Sequence, residues 1–231
     1  VDLYMQHMYY YFVEASVDEA ARFGPCKLWK DTCYGKGEFI FERRHKNVDK
    51  LVPFALDPTL DWEGLRQRVL TTGIANTTGL AMPPVESSSQ PLNTTNGIEM
   101  PLEAITTKSS KDGANVFVVP EYEKLKNRYE YIFNQPSPRP YLSTVAVIQK
   151  WTCQSISANT NYNPDLFLGK KIPMNVILGD MLYAKNCGVK TLYYSKIKKQ
   201  DPNEVVEDLI EEVSHQLPSD DDSAVCESCV L

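Results

Sequence analysis

Apolar residues recur every three or four positions in several stretches of the chain, a spacing that places them on one face of a helix. The first stretch is followed by Gly24-Pro25, a pair that ends helices, and Asp61 is expected to cap the second. The predicted helices, in chain order, are Val1–Phe23, Asp61–Leu70, Glu121–Asn134, Tyr141–Ser155 and Pro173–Asn186.

Shorter apolar runs between these helices are typical of strands. A hydroxyl-rich loop over Pro83–Gln90 follows the first run and leads into a short helical turn. Helices that alternate with short strands indicate an α/β fold, and connections long enough to hold a helix favour parallel pairing. The predicted strands are Ile74–Met82, Val116–Val119, Ser155–Asn161 and Val189–Tyr193.

Charge divides the sequence into two parts. The net charge is −6, but residues 201–231 contain ten Asp or Glu residues and no Lys or Arg. We therefore expect a folded body over residues 1–200 and a flexible acidic tail over residues 201–231. The basic residues of the body are scattered rather than interleaved with aromatic residues, so nucleic acid is not an expected partner.

The sequence predicts no membrane-spanning segment, because no stretch of 18 or more apolar residues appears. Charged side chains interrupt the apolar opening of the chain, which does not have the pattern of a signal peptide. The expected location is the cytoplasm, or the host cytoplasm if the source is a virus.

Six cysteines are too few for a disulfide scaffold in a chain of 231 residues. Cys226 and Cys229 form a Cys-x-x-Cys pair close to the chain end. This pair could be half of a zinc site, an incidental pair or a redox-active pair. Because no second half of a zinc site has matching spacing, we favour thiol–disulfide exchange. The other four are expected to be ordinary core residues: Cys26, Cys33, Cys153 and Cys187.

Two further groups of residues carry candidate chemistry. Ser87 and Ser88, in the hydroxyl-rich loop, could bind a phosphate with nearby backbone N–H groups, although serines at such places commonly just cap a helix. Tyr193 and Tyr194 are adjacent at the end of a predicted strand, where tyrosine is usually structural. A redox role for the two phenols requires radical chemistry nearby.

Several segments together resemble the C-terminal part of the large, catalytic subunit of class I ribonucleotide reductase, and the resemblance covers the whole chain. It implies an α/β fold, the C-terminal portion of a ten-stranded α/β barrel, with a flexible acidic C-terminal tail. The segments are Tyr34–Gly37, Asp61–Glu63, Asn93–Glu99, Ser155–Tyr162, Gly188–Tyr194 and the tail that carries the cysteine pair.

The resemblance also implies roles for individual residues. Tyr194 and then Tyr193 pass a radical inward, and Cys226 with Cys229 re-reduces the active-site disulfide. The tail cysteines are closer together than in many bacterial relatives, and Pro83-Pro84-Val85 replaces a smaller or more polar residue of some family members. The resemblance implies that the family's loop for the diphosphate of the ribonucleotide substrate consists here of Pro84, Val85, Glu86, Ser87 and Ser88.

The implied partners are the N-terminal part of the large subunit, the small subunit, thioredoxin or glutaredoxin, and a ribonucleoside diphosphate. No cofactor or metal is expected on this chain, since the metal-containing small subunit supplies the radical. The family's radical-forming cysteine and its disulfide-forming pair have no counterpart here. We therefore expect no activity from this chain alone, whether it is a trimmed piece or a split-gene product. The competing class is a non-catalytic thiol-redox or binding module.

Overall fold

A computed structural model describes residues 1–110 and 113–199 of the chain, so the predicted tail lies outside the described residues. The helices are α1 (Asp2–Phe23), α2 (Trp62–Thr72), α3 (Tyr122–Leu125), α4 (Arg139–Gln149) and α5 (Met174–Asn186). The strands are β1 (Ile105–Ser110), β2 (Gly113–Val118), β3 (Thr160–Tyr162) and β4 (Ser195–Ile197). Short 3₁₀ turns connect many of these elements.

Helix α1 packs one face on the hydrophobic core, while Leu3, Tyr4 and Tyr11 on its other side are exposed. Its buried face includes Tyr9, Val13 and Val17, which repeat every four residues as the sequence predicts. Trp62 of α2 stacks on Tyr9 at 6.1 Å between ring centroids and on Trp151 at 6.3 Å. Each such buried side chain contributes about 1.5–3 kcal/mol of transfer free energy, so these contacts fix the helices against each other.

The predicted helices α1, α2 and α5 are confirmed within one or two residues at each end. At the start of α2, the Asp61 carboxylate accepts a hydrogen bond from the Gly64 N–H at 2.8 Å, which is the expected cap. Helix α4 ends at Gln149 rather than Ser155, because the chain there turns away and the Gln154 N–H donates to the Leu80 carbonyl.

The helix predicted over Glu121–Asn134 is wrong. One helical turn forms at α3, and a 3₁₀ turn follows at Ile132–Asn134. The Ile132 N–H donates to the carbonyl of Pro101 at 3.0 Å. A backbone group bonded to a distant segment cannot take part in a helical hydrogen bond, so tertiary structure overrides the local pattern here.

The strands differ more from their predictions than the helices do. Strands β3 and β4 pair in parallel, as expected. Strand β3 overlaps only the last two residues of the run Ser155–Asn161, and β4 begins two residues after the end of the run Val189–Tyr193. Strand β2 forms an antiparallel hairpin with β1, which the sequence did not predict. The strand expected over Ile74–Met82 is wrong, since this stretch makes one isolated parallel bridge, from Met82 to Ile156.

A portion of a ten-stranded barrel was expected, and the described residues do not form a closed barrel. They contain two separate two-stranded sheets. A barrel closes only when every strand has a neighbour on both sides, and in this part of the chain each strand has one. None of the described helices is long and apolar enough to span a membrane.

Candidate functional site

The hydroxyl-rich loop contains a 3₁₀ turn, Glu86–Ser89, that is held by the segment that follows it. On the N-terminal side of the turn, the Val85 N–H donates to the Asn96 carbonyl at 2.8 Å. On the C-terminal side, the Thr94 N–H donates to the Ser89 carbonyl at 3.0 Å. These two bonds fix the turn against residues 93–96.

The serines of this turn differ in exposure. Ser87 and Ser88 are exposed, whereas Ser89 is only 1% exposed. The Ser88 N–H already donates to the Val85 carbonyl at 2.9 Å, and Pro84 is half-buried. The loop therefore presents two adjacent hydroxyl groups at the surface, and these can donate hydrogen bonds to an anion.

The two adjacent tyrosines contact each other through their rings. The ring centroids of Tyr193 and Tyr194 are 4.2 Å apart with the planes inclined by 49°. The Tyr194 hydroxyl donates a long hydrogen bond of 3.4 Å to the Tyr193 oxygen. Tyr193 and Tyr194 are 58% and 56% exposed, so the two contacting rings lie at the surface of the described residues.

A polar network lies beside this pair. The Asn159 side chain accepts from the Tyr194 N–H at 3.1 Å and donates to the Glu99 carboxylate at 3.1 Å. The same carboxylate oxygen is 3.5 Å from Lys196 Nζ. The Asn159 N–H donates to the Tyr141 hydroxyl at 3.4 Å. Burial raises the pKa of Tyr141 to about 12, which keeps this phenol neutral.

One segment therefore contacts both candidate groups. Asn96 binds the backbone of the hydroxyl-rich loop, and Glu99, three residues later, binds Asn159 beside the tyrosine pair. The predicted cysteine pair, Cys226 and Cys229, lies outside the described residues.

Comparison with known proteins identifies the family to which most of the chain is similar. Residues 1–195 match the family model described as "Ribonucleotide reductase, barrel domain". The chain belongs to the ribonucleotide reductase family. Within this family it is 42% identical over 208 residues to the ribonucleoside-diphosphate reductase subunit alpha of Buchnera aphidicola from Schizaphis graminum, covering 88% of this chain and 27% of that protein.

Two further relatives are also alpha subunits of ribonucleoside-diphosphate reductases. The ribonucleoside-diphosphate reductase 1 subunit alpha of Escherichia coli is 42% identical over 189 residues, which is 82% of this chain and 25% of that protein. The subunit alpha of Enterobacteria phage T4 is 35% identical over 223 residues, 96% of this chain and 28% of that protein. The chain thus spans about a quarter of the length of these relatives and corresponds to a C-terminal part of the large subunit.

The four cysteines of residues 1–200 are less uniformly buried than predicted. Cys187 is buried, as expected, but Cys26, Cys33 and Cys153 are half-buried. Burial raises the pKa of the Cys33 thiol, which disfavours the reactive thiolate. Cys33, Cys153 and Cys187 line a cavity of about 570 Å³ together with Lys190, whose pKa burial lowers.

Sequence reasoning missed three side chains of the site: Glu99, Asn159 and Lys196. Glu99 and Asn159 occur in the polar runs that carried the family resemblance, but nothing in their spacing assigns them a role. They are 60 residues apart and meet through the fold. The one available signal was the polar type of these residues in segments that also carry apolar residues, since polar groups that become buried require hydrogen-bond partners.

Proposed function

We propose that this chain supplies the C-terminal part of a ribonucleoside-diphosphate reductase large subunit and contributes to the conversion of ribonucleotides to deoxyribonucleotides. In this proposal it works together with the N-terminal part of the large subunit and with the small subunit, whose metal centre supplies the radical. It is inactive by itself, and its location is the cytoplasm. The observation that carries the proposal is the ring contact between two exposed tyrosines in a chain of this family.

The tyrosine pair acts as a radical relay. When Tyr194 is oxidised to a neutral radical by the small subunit, it takes a hydrogen atom from Tyr193, so the Tyr193 O–H bond breaks and the Tyr194 O–H bond re-forms. One electron and one proton move together, and the radical advances by one residue. The 3.4 Å separation of the two oxygens supports this direct transfer, because no intervening group is needed.

The hydroxyl-rich loop binds the diphosphate of the substrate. Ser87 and Ser88 offer the exposed hydroxyls, while Pro84, Val85 and Glu86 shape the turn that presents them. Hydroxyl donors to a phosphate form charge-assisted hydrogen bonds, which are stronger than neutral ones. Two backbone hydrogen bonds support this role, since they hold the turn in one conformation. The Val85 N–H donates to the Asn96 carbonyl, and the Ser89 carbonyl accepts from the Thr94 N–H.

The tail cysteines complete the catalytic cycle. Cys226 and Cys229 reduce the active-site disulfide by thiol–disulfide exchange and are then reduced by thioredoxin or glutaredoxin. Two electrons and two protons pass from the tail dithiol to the disulfide, and the tail becomes the disulfide that the partner reduces. A pair is needed because the second thiol resolves the mixed disulfide that the first one forms.

Replacing either tyrosine tests the relay. In a large subunit assembled from this chain and the N-terminal part, with the small subunit present, Tyr193→Phe and Tyr194→Phe should each abolish ribonucleotide reduction. Phenylalanine keeps the ring and its packing but cannot exchange a hydrogen atom. Turnover is measured by formation of deoxyribonucleotide, and circular dichroism checks that the fold is retained.

The control is Tyr129→Phe, which removes a phenol that donates to the Pro120 carbonyl and not to a tyrosine of the pair, and it should retain turnover. Normal turnover in either Phe variant of the pair would contradict the relay. Absence of nucleotide reduction in every assembly, with the tail thiols still exchanging with thioredoxin, would favour the non-catalytic redox module.

A further inference from the structure

The contact between the Tyr193 and Tyr194 rings requires an explanation, because neighbouring residues of a regular strand point to opposite faces of the sheet. The two residues directly precede β4 and already pair with the chain before and within β3. If the pairing were regular here, the two rings would be on opposite sides of the backbone. Their centroids are instead 4.2 Å apart.

The hydrogen bonds of this parallel pair slip by one residue at the tyrosines. The Tyr193 N–H donates to the Ala158 carbonyl at 2.7 Å. In a regular parallel ladder the Thr160 N–H would then donate to the Tyr193 carbonyl. It donates instead to the Tyr194 carbonyl, at 2.8 Å, and regular pairing resumes with Thr160 opposite Ser195. One extra residue is thus inserted on the tyrosine side, which is a β-bulge and re-aims the side chains.

The bulge leaves the Tyr194 N–H without a backbone acceptor in the ladder. The Asn159 side chain provides the acceptor instead, since its Oδ1 accepts from the Tyr194 N–H at 3.1 Å. Asn159 is the single residue opposite the two tyrosines, so its side-chain carbonyl substitutes for the carbonyl that the slipped ladder no longer offers. A backbone N–H left without any partner in such a place is costly.

The Asn159 amide is held in the orientation that this bond requires. Its Nδ2 donates to Glu99 Oε2 at 3.1 Å, which directs Oδ1 toward Tyr194. The Glu99 side chain is only 12% exposed, and Lys196 Nζ lies 3.5 Å from the same carboxylate oxygen. The charge of Glu99 is thereby balanced, and the amide has one favourable orientation.

We propose that Asn159, oriented by Glu99, is a positioning residue that stabilises the bulge and so keeps the Tyr194 ring against that of Tyr193. The expected effect of Asn159 on turnover rests on the radical relay proposed above. The expected effect of Asn159 on the conformation of the tyrosine pair does not depend on that relay. Loss of the Asn159 amide should release the Tyr194 N–H and let the two rings separate.

The test compares three variants in the assembled large subunit, with hydrogen–deuterium exchange of the Tyr194 amide and turnover as readouts. Asn159→Ala should speed exchange at Tyr194 by about tenfold or more, the factor that corresponds to one lost hydrogen bond. The kcat should fall while the substrate KM stays unchanged, because the loop that holds the diphosphate is intact. Asn159→Asp should behave similarly, since it sets a second carboxylate beside Glu99.

The double variant Glu99→Gln with Asn159→Asp exchanges the amide and the carboxylate between the two positions. The new amide donates to the new carboxylate, which still accepts from the Tyr194 N–H, so slow exchange and turnover should both return. A merely destabilised protein would not be rescued in this way. Asn163→Ala is the matched control, because it removes a buried amide whose Nδ2 donates to the Phe133 carbonyl and not to the Glu99 carboxylate.

Exchange at Tyr194 that is unchanged in Asn159→Ala, or raised equally in Asn163→Ala, would overturn the positioning role. Failure of the double variant to slow the exchange again would overturn it as well. Normal turnover of Tyr194→Phe would instead refute the relay and leave the exchange result standing, so the two failures are distinguishable.

Discussion

At the scale of single residues, neighbours of the same type take different parts in this chain. Ser89 is buried and its carbonyl anchors the turn, whereas Ser87 and Ser88 present their hydroxyls to the surface. Exposure therefore leaves Ser87 and Ser88, and not Ser89, as the candidates for the proposed diphosphate binding. Exposure also distinguishes two cysteines, since Cys187 is buried in the core and Cys33 is half-buried.

Removing the two exposed hydroxyls should weaken binding of the substrate. The double variant Ser87→Ala with Ser88→Ala loses hydrogen bonds to a charged group, which corresponds to about 1–3 kcal/mol of binding free energy. Calorimetric titration of the assembled large subunit with a nucleoside diphosphate measures this loss. Ser155→Ala, an exposed serine outside the loop, is the control, and equal affinity in both variants would remove the loop from the substrate site.

At the scale of elements, α2 depends on an N-terminal cap that its sequence encodes directly. The Asp61 carboxylate accepts from the Gly64 N–H, and a Cβ atom at Gly64 would collide with that carboxylate. The helix carries Trp62, Leu65 and Val69 into the core, so its start fixes where these side chains pack. Local hydrogen bonding and core packing thus agree at this element.

Asp61→Ala should lower the free energy of unfolding by about 1 kcal/mol, because the first turn of α2 loses its side-chain acceptor. Asp61→Asn keeps an oxygen at the same place and should retain most of the stability. Urea unfolding of the full chain, followed by circular dichroism, measures both variants. If Asp61→Ala unfolds at the same urea concentration as the parent, the cap is not the stabilising contact.

At the scale of the whole molecule, the chain corresponds to a C-terminal part of a large subunit, and we propose that it works as one part of a larger catalytic unit. It spans about a quarter of the length of its relatives, and its acidic tail carries the thiols that the proposed cycle needs. The tail lies outside the described residues, and its composition is polar and acidic. A polar tether raises the effective concentration of its thiols at a site within reach.

Cys226→Ser or Cys229→Ser should abolish multiple turnover with thioredoxin or glutaredoxin while a single turnover of the pre-reduced assembly remains. Dithiothreitol should partly restore cycling, because it is small enough to reach a buried disulfide directly. Product formed per enzyme, with and without dithiothreitol, distinguishes these cases. Cys26→Ser is the control in the folded body, and normal cycling of the tail variants with thioredoxin would refute the shuttle.

The sequence alone determined the elements whose signals are local. The helices α1, α2 and α5 follow from apolar spacing and from residues such as Asp61 and Gly24, because helical hydrogen bonds join residues four apart. Residue type and family resemblance likewise singled out Ser87, Ser88, Tyr193 and Tyr194 as candidates.

Tertiary structure decided whatever depends on a distant partner. The apolar run at Ile74–Met82 did not become a strand, and the Ile132 N–H left its predicted helix for the Pro101 carbonyl. The bulge that brings the tyrosine rings together, and the amide of Asn159 that satisfies it, arise where a segment 35 residues earlier in the chain pairs out of register. An inserted residue in a parallel pair is defined by which backbone groups of two distant segments meet in the folded chain, so the apolar spacing of either segment alone does not reveal it.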